Sequence, residues 1–147
     1  MSKENSNSRL EQIQRQLLSI KPFNLLPTEE CIDWLSTSKI ISLVPGQTLI
    51  APKQLQDRLY LIISGSVRLL REEDGQITTI AKRGSGQLLG WVSLLRASPC
   101  EWVSASDDTL VLTLSSVGFV SLIKEYSAFQ AWFSSLPNIQ ESLLVAS

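Results

Sequence analysis

No histidine occurs anywhere in the chain. That absence removes the commonest metal ligand and the usual general base, so His-based zinc sites, Ser-His or Cys-His nucleophilic pairs and histidine-built cupin centres are excluded. A surplus of positive charge is missing as well: 13 Lys and Arg stand against 14 Asp and Glu, a net charge of −1. Nothing in that balance suits a phosphodiester backbone, and no nucleic-acid partner is expected. Uninterrupted apolar runs of the roughly 18–20 residues needed for a membrane span are lacking, and the opening "MSKENSNSR" has no apolar core of a secretion signal. The expectation is a soluble, cytoplasmic chain with no direct membrane contact. Only two cysteines occur, Cys31 and Cys100, far apart in sequence, which makes a poor disulfide framework and favours free thiols. No base or cation is identifiable that would lower the pKa of Cys100, so it is expected to be an inert small residue.

What is present is enough apolar content, 44% of 147 residues, for one ordinary domain with a core. Ser8 and Glu11 form a capping-box pattern ahead of Leu10, Ile13, Leu17 and Ile20 at helical spacing, so residues 1–21 are expected to carry an N-terminal amphipathic helix stopped by Pro22. "KPFNLLP" is too proline-bound for more than a turn or a short helix. Thr28 reads as the N-cap of a second helix to about Ser36, with Glu29 and Glu30 in its first turn and Ile32 and Leu35 facing inward.

From Lys39 the pattern turns to strands. "KIISLVPGQTLIAP" predicts strand, turn, strand; "RLYLIISGSVRLL" predicts two strands meeting at Gly65; Asp74-Gly75 predicts a tight hairpin into "ITTIA". "TLVLTLS" predicts a strand with Leu110, Leu112 and Leu114 on one face, Val111 and Thr113 on the other, and one of those faces in the core. Phe119, Leu122 and Ile123 then sit at helical spacing, and Ser127 with Gln130 forms another capping-box pattern before a helix broken by Pro137. Helices, short strands and helices in that order point to a mainly β protein, a sandwich or jelly roll with flanking N- and C-terminal helices. The domain is placed at residues 22–136. The tail 137–147, with apolar Ile139, Leu143 and Leu144, is expected to continue into a longer protein.

Between these blocks lies "GSGQLLGWVSLLRASPCEW". With "PFNLLPTEECIDWL", "VPGQTLIAP" and "LYLIISGSVRLL" in the same order, it resembles the cyclic-nucleotide-binding domain of catabolite-activator-type regulators, kinase regulatory subunits and gated channels, over roughly Pro22 to Phe133. The resemblance implies an eight-stranded jelly roll, or double-stranded β-helix, whose short cassette helix offers backbone N–H groups to a cyclic phosphate. Carried over residue by residue, it keeps the cassette frame at Gly86 and Gly90 and extends through Val92 and Ser93. The ribose-binding glutamate is expected after Gly90, where Trp91 stands, and an indole cannot accept hydrogen bonds from a 2′-hydroxyl. The phosphate-binding arginine is expected after Pro99, where Cys100 stands, with the acidic Glu101 next to it.

An arginine–phosphate contact is worth roughly 1.5–3 kcal/mol, so loss of both contacts implies cyclic-nucleotide binding at least about a hundredfold weaker. Arg96 is the one substitute cation within the cassette segment. Trp91 and Trp102 are weighed between packing and lining an altered pocket, the former ahead. Glu101 is weighed as a surface strand residue, as a partner of Arg96, or as a receiver of a cationic ligand. Arg68, Arg71 and Arg83 are expected on solvated faces, and "RGSG" at residues 83–86 as an inter-strand turn without the lysine-serine sequel of a nucleotide loop.

Three functions follow. The first is a non-enzymatic regulatory or sensor domain that does not take cyclic AMP or cyclic GMP in the usual way. The second is a true cyclic-nucleotide receptor using cassette N–H groups and Arg96, and the third is a structural or interaction jelly roll without ligand. No catalysis is expected: Glu29, Glu30, Glu72, Glu73, Asp107 and Asp108 are adjacent pairs at helix starts or turns, and no nucleophile has a base in view. No cofactor or metal is implied; a cyclic nucleotide or another small anion is the candidate ligand. Trp91 together with "CEW" is similar to the N-terminal domains of bacterial peptidase-containing ABC exporters. That likeness implies a linked membrane transporter as partner, with a homodimer through the terminal helices as the other association considered.

Overall fold

The computed structural model describes residues 2–54, 57–99 and 101–136, with side chains from residue 8 onward; Cys100, Pro137, Ile139, Leu143 and Leu144 lie outside the described residues. Its elements are α1 (Ser2–Leu17), a 3-10 turn (Phe23–Leu25), α2 (Thr28–Leu35), β1 (Lys39–Leu43), β2 (Thr48–Ile50), β3 (Arg58–Ser64), β4 (Ser66–Glu73), β5 (Gln76–Gly84), β6 (Leu88–Leu89), α3 (Trp91–Arg96), β7 (Val103–Ala105), β8 (Thr109–Ser115), α4 (Ser116–Glu125) and α5 (Ser127–Ser135). The eight strands form two antiparallel four-stranded sheets, ordered β1-β8-β3-β6 and β2-β7-β4-β5. This is the mainly β jelly-roll fold with flanking helices expected from the sequence.

Strand alternation creates two cores. On β3, Tyr60 and Ile62 join Val67, Leu69, Val103 and Val111 between the sheets, while Leu59 and Leu61 point the other way into a helical layer. That layer contains Trp34, Phe119, Phe129 and Phe133, whose rings pack at centroid distances from 5.0 to 6.3 Å. The expectation of a single core face on β8 is therefore corrected. Val111 is buried between the sheets and Leu112 and Leu114 under the helices, because β8 lies between β1 and β3 and helices cover its outer face.

Gly65 carries the turn from β3 to β4 at φ +91°. A Cβ there would lie 2.4 Å from the Asp108 carbonyl oxygen and 2.6 Å from Thr109 Oγ1, so both the dihedral and the space demand glycine. Asp74 and Gly75, both at positive φ, close the β4–β5 hairpin as expected.

The helix boundaries differ from the sequence signals. α1 begins at Ser2, which puts the Ser8–Glu11 pattern inside the helix; residues 2–7 contain no proline or glycine to stop the helix extending backwards. It ends at Leu17, so Ile20 is off the apolar stripe and 45% exposed. Pro27, extended at φ −55° and ψ 141°, is the residue flanking α2, and Thr28 is already helical rather than the cap. Ile32 is 49% exposed, with Cys31, Trp34 and Leu35 forming the buried face instead. Ser127 likewise is the first residue of α5, flanked by Tyr126. A serine does cap α4: Ser115 Oγ accepts from the Gly118 N–H at 3.2 Å.

Candidate functional site

The cassette begins where β5 ends. The turn at Gly84 to Gln87 is the inter-strand turn expected of "RGSG": Gly86, at φ +88°, donates its N–H to Ile62 O at 2.8 Å and anchors the turn to β3. β6 then pairs Leu88 and Leu89 with Leu61 and Tyr60. Gly90 follows at φ +91°, and a Cβ there would approach the Arg58 carbonyl oxygen to 3.1 Å, so this glycine lets the chain turn tightly against β3 and start α3.

α3 is short. Its first intrahelical bond runs from the Leu94 N–H to Gly90 O at 3.4 Å, so the N–H groups up to Ser93 need acceptors from elsewhere. Ala97, at φ +54°, ends the helix, and the Ser98 N–H returns to Ser93 O at 3.1 Å. The chain then reaches β7 through Pro99 and Glu101.

Glu101 supplies acceptors at the two ends of that run. It is only 4% exposed, and its carboxylate lies across the start of α3. Oε2 accepts from the Gly90 N–H and Oε1 from the Ser93 N–H, each at 2.8 Å. Both contacts are charge-assisted, and the positive end of the short helix adds to them. Glu101 is thus a buried residue, not the surface strand residue weighed in the sequence. None of the roles weighed for it in the sequence, a surface position, a partner of Arg96 or a receiver of a cationic ligand, is this one. Its pairing with backbone amides depends on the turn at Ala97, which nothing in the composition announces.

The other expected site residues separate around this point. Val92 and Ser93 are buried, and Ser93 is engaged beyond its backbone bond to Glu101. Trp91 is half-buried and directs its ring to the helical layer, 5.4 Å from the ring centre of Phe133 on α5 at an interplanar angle of 54°. Phe133 is the partner that sequence reasoning missed, because residues 91 and 133 meet only through the fold. Arg96 is exposed, interacts with neighbouring groups and lines a cavity of about 370 Å³ between α3 and α5 with Trp91 and Phe133. Trp102 is half-buried; its carbonyl accepts from the Leu70 N–H at 2.9 Å, and it lines a second cavity of about 300 Å³ with Lys53, Arg71, Glu72, Pro99 and Glu101.

The strand arginines are less solvated than expected. Arg68, Arg71 and Arg83 are half-buried; the Nε atoms of Arg68 and Arg71 are enclosed without a hydrogen-bond partner among the described residues, although Arg71 Nη2 pairs with Glu73. Arg68 lies on β4 between Lys82 of β5 and Ser104 of β7, Arg71 stands opposite Thr78 of β5, and Arg83 is on β5 itself opposite Val67. Among the described residues no group of three or more His, Cys, Asp or Glu is placed to hold a metal ion, and no helix is long and apolar enough to cross a membrane.

Residues 40–126 match the family model described as "Cyclic nucleotide-binding domain". A CRP-like cAMP-activated global transcriptional regulator of Mycobacterium tuberculosis is 32% identical over 100 residues, 67% of this chain and 41% of the regulator. The chain therefore spans about two-fifths of the length of that curated relative. The catabolite activator protein of Thermus thermophilus superposes with a TM-score of 0.60 at 28% identity, covering 88% of this chain and 56% of that one. The regulatory subunit of a cAMP-independent protein kinase A from Trypanosoma brucei superposes with a TM-score of 0.77 at 20% identity, covering 97% of this chain and 53% of that one, a likeness of fold alone.

Proposed function

Because the chain belongs to the cyclic nucleotide-binding domain family, we propose that it is a non-enzymatic regulatory module whose cassette does not read cyclic AMP or cyclic GMP in the usual pose. One observation carries the reading: the Glu101 carboxylate holds the N–H groups of Gly90 and Ser93 at 2.8 Å. Those are cassette amides of the kind the family resemblance assigns to a cyclic phosphate. A second anion brought to the same donors would meet a buried carboxylate at close range, which is repulsive where the ligand needs attraction.

Two replacements support the reading. Trp91 stands where the ribose glutamate is expected, and its ring is engaged with Phe133. Cys100 stands where the phosphate arginine is expected and brings no positive charge.

The competing reading is a cyclic-nucleotide receptor built on the same amides and Arg96. It requires Glu101 to leave both donors and Arg96 to turn from its exposed position beside α5. Titration calorimetry with cyclic AMP and cyclic GMP separates the two: no heat up to millimolar ligand is expected, and micromolar binding overturns the proposal.

Regulation of a linked membrane transporter is the output we propose, on the likeness of Trp91 and "CEW" to the N-terminal domains of peptidase-containing ABC exporters. It is tested by whether the reading frame joins this module to a peptidase or a membrane-spanning segment. A frame joined instead to a DNA-binding segment contradicts it.

A further inference from the structure

We infer that Glu101 is a built-in substitute for the ligand's anion that latches the cassette to α5, so that the module rests in one fixed state instead of waiting for a small molecule. This rests on the reading that the cassette amides are not offered to a cyclic phosphate. The two residues held by the carboxylate, Gly90 and Ser93, flank Trp91 on either side. One side chain therefore fixes the backbone before and after the indole. The indole in turn meets Phe133 at 5.4 Å, and Phe133 packs edge-on against Phe119 at 5.0 Å and Phe129 at 5.1 Å.

The path from the segment before β7 to the last described helix is thus a chain of direct contacts: Glu101, the two amides, Trp91, Phe133, then the aromatic centre of the helical layer. Each link has a narrow geometric optimum: the amide–carboxylate bonds weaken steeply as they depart from linear, and a close-packed aromatic layer transmits strain because it holds few voids. Burial keeps water from replacing the carboxylate, since Glu101 is 4% exposed. Trp91, in the place of a ligand-reading glutamate, acts here as the connector between cassette and helix. The control point is moved from ligand concentration to whatever acts on α5 or displaces Glu101.

Residue-resolved amide hydrogen exchange on the whole chain tests the latch. Glu101→Gln keeps the shape but removes the charge and one acceptor oxygen. It is expected to speed exchange at Gly90 and Ser93 at least tenfold and at the α5 amides around Phe133 at least threefold. In a Trp91→Ala background, the same change should accelerate the cassette amides and leave α5 unaltered. Unchanged exchange at Ser93, or acceleration confined to the cassette while Trp91 is intact, overturns the inference. Should Glu101→Gln not fold, Glu101→Asp retains the charge on a shorter stem and should move the same amides in the same direction by less. Binding of cyclic AMP to the unaltered chain would defeat the functional reading whatever the exchange data show, so the two failures are separable.

Discussion

Ser93 and Glu101, eight residues apart, are joined by a 2.8 Å hydrogen bond from the backbone amide of one to the buried carboxylate of the other. Replacing Glu101 by alanine leaves the Ser93 and Gly90 amides buried without acceptors. At 1–3 kcal/mol for each orphaned group, the loss is about 2–6 kcal/mol. For a domain of this size that lowers the melting temperature by roughly 6–18 °C, measurable by calorimetry or circular dichroism. Glu101→Gln, which keeps one acceptor, should lose less than half as much.

Gly65→Ala should be among the most damaging single-methyl additions in the chain. The new Cβ meets the Asp108 carbonyl at 2.4 Å in a backbone held at φ +91°. Gly86→Ala has a similar φ of +88° but open space around it, so it isolates the dihedral cost of about 1 kcal/mol. Denaturant midpoints should place Gly65→Ala at least twice as far from the unaltered chain as Gly86→Ala. Equal shifts would mean that the contact with Asp108 and Thr109 is not tight.

Trp34 and Gly118 form a second close pair. The indole Nε1 donates to Ser115 O at 3.0 Å, and a Cβ on Gly118 would lie 2.6 Å from Trp34 Cδ1. Gly118→Ala should cost about 1–3 kcal/mol as overpacking. Trp34→Phe costs the hydrogen bond but vacates the space, so the double variant should be more stable than the sum of the single effects implies. A double-mutant cycle in urea gives the coupling directly.

Cys31 carries a pH signature. Burial pushes its thiol from the ordinary 9.0 up to about 11, because the thiolate would have to form away from water. The raised value belongs to the folded state, so the associated stability is complete below pH 9 and is lost as pH rises towards 11. Two pKa units correspond to roughly 2–3 kcal/mol. In a Cys100→Ser background, a thiol reagent at pH 8 should label Cys31 only at the rate of unfolding, and stability should fall between pH 9 and 11. The same fall in a Cys31→Ala variant would assign it to other groups.

Much of the fold was legible because the patterns are local. Gly65 separates β3 from β4, Asp74-Gly75 makes the hairpin, and "TLVLTLS" corresponds to β8 end to end. The helix starts were displaced because serine-to-acid or serine-to-glutamine spacing at Ser8 and Ser127 also occurs within helices, and only the neighbouring backbone decides which residue caps. The two-sided burial of β8 was hidden, since alternation alone does not say that a helical layer will cover the second face. In the site, the departures at Trp91 and Cys100 stood out against the family pattern. The partners of Trp91 and Glu101 did not, because Phe133 lies 42 residues away and the amides of Gly90 and Ser93 carry no side-chain signal.

If Glu101 and the missing arginine together exclude the cyclic phosphate, supplying one and removing the other should reverse the effect. The double variant Cys100→Arg, Glu101→Ala should bind cyclic AMP at least about a hundredfold more tightly than the unaltered chain, the order expected when a charge-assisted hydrogen bond is added and a repulsion is removed. Competition with a fluorescent cyclic nucleotide measures the change, and unaltered affinity in a folded double variant would locate the exclusion elsewhere, at Trp91 first.

Titration calorimetry of the unaltered chain with cyclic AMP is the most direct test of the central claim that Glu101 occupies the anion position of the cassette. The account predicts no saturable heat at millimolar ligand; a stoichiometric isotherm with micromolar affinity would contradict it.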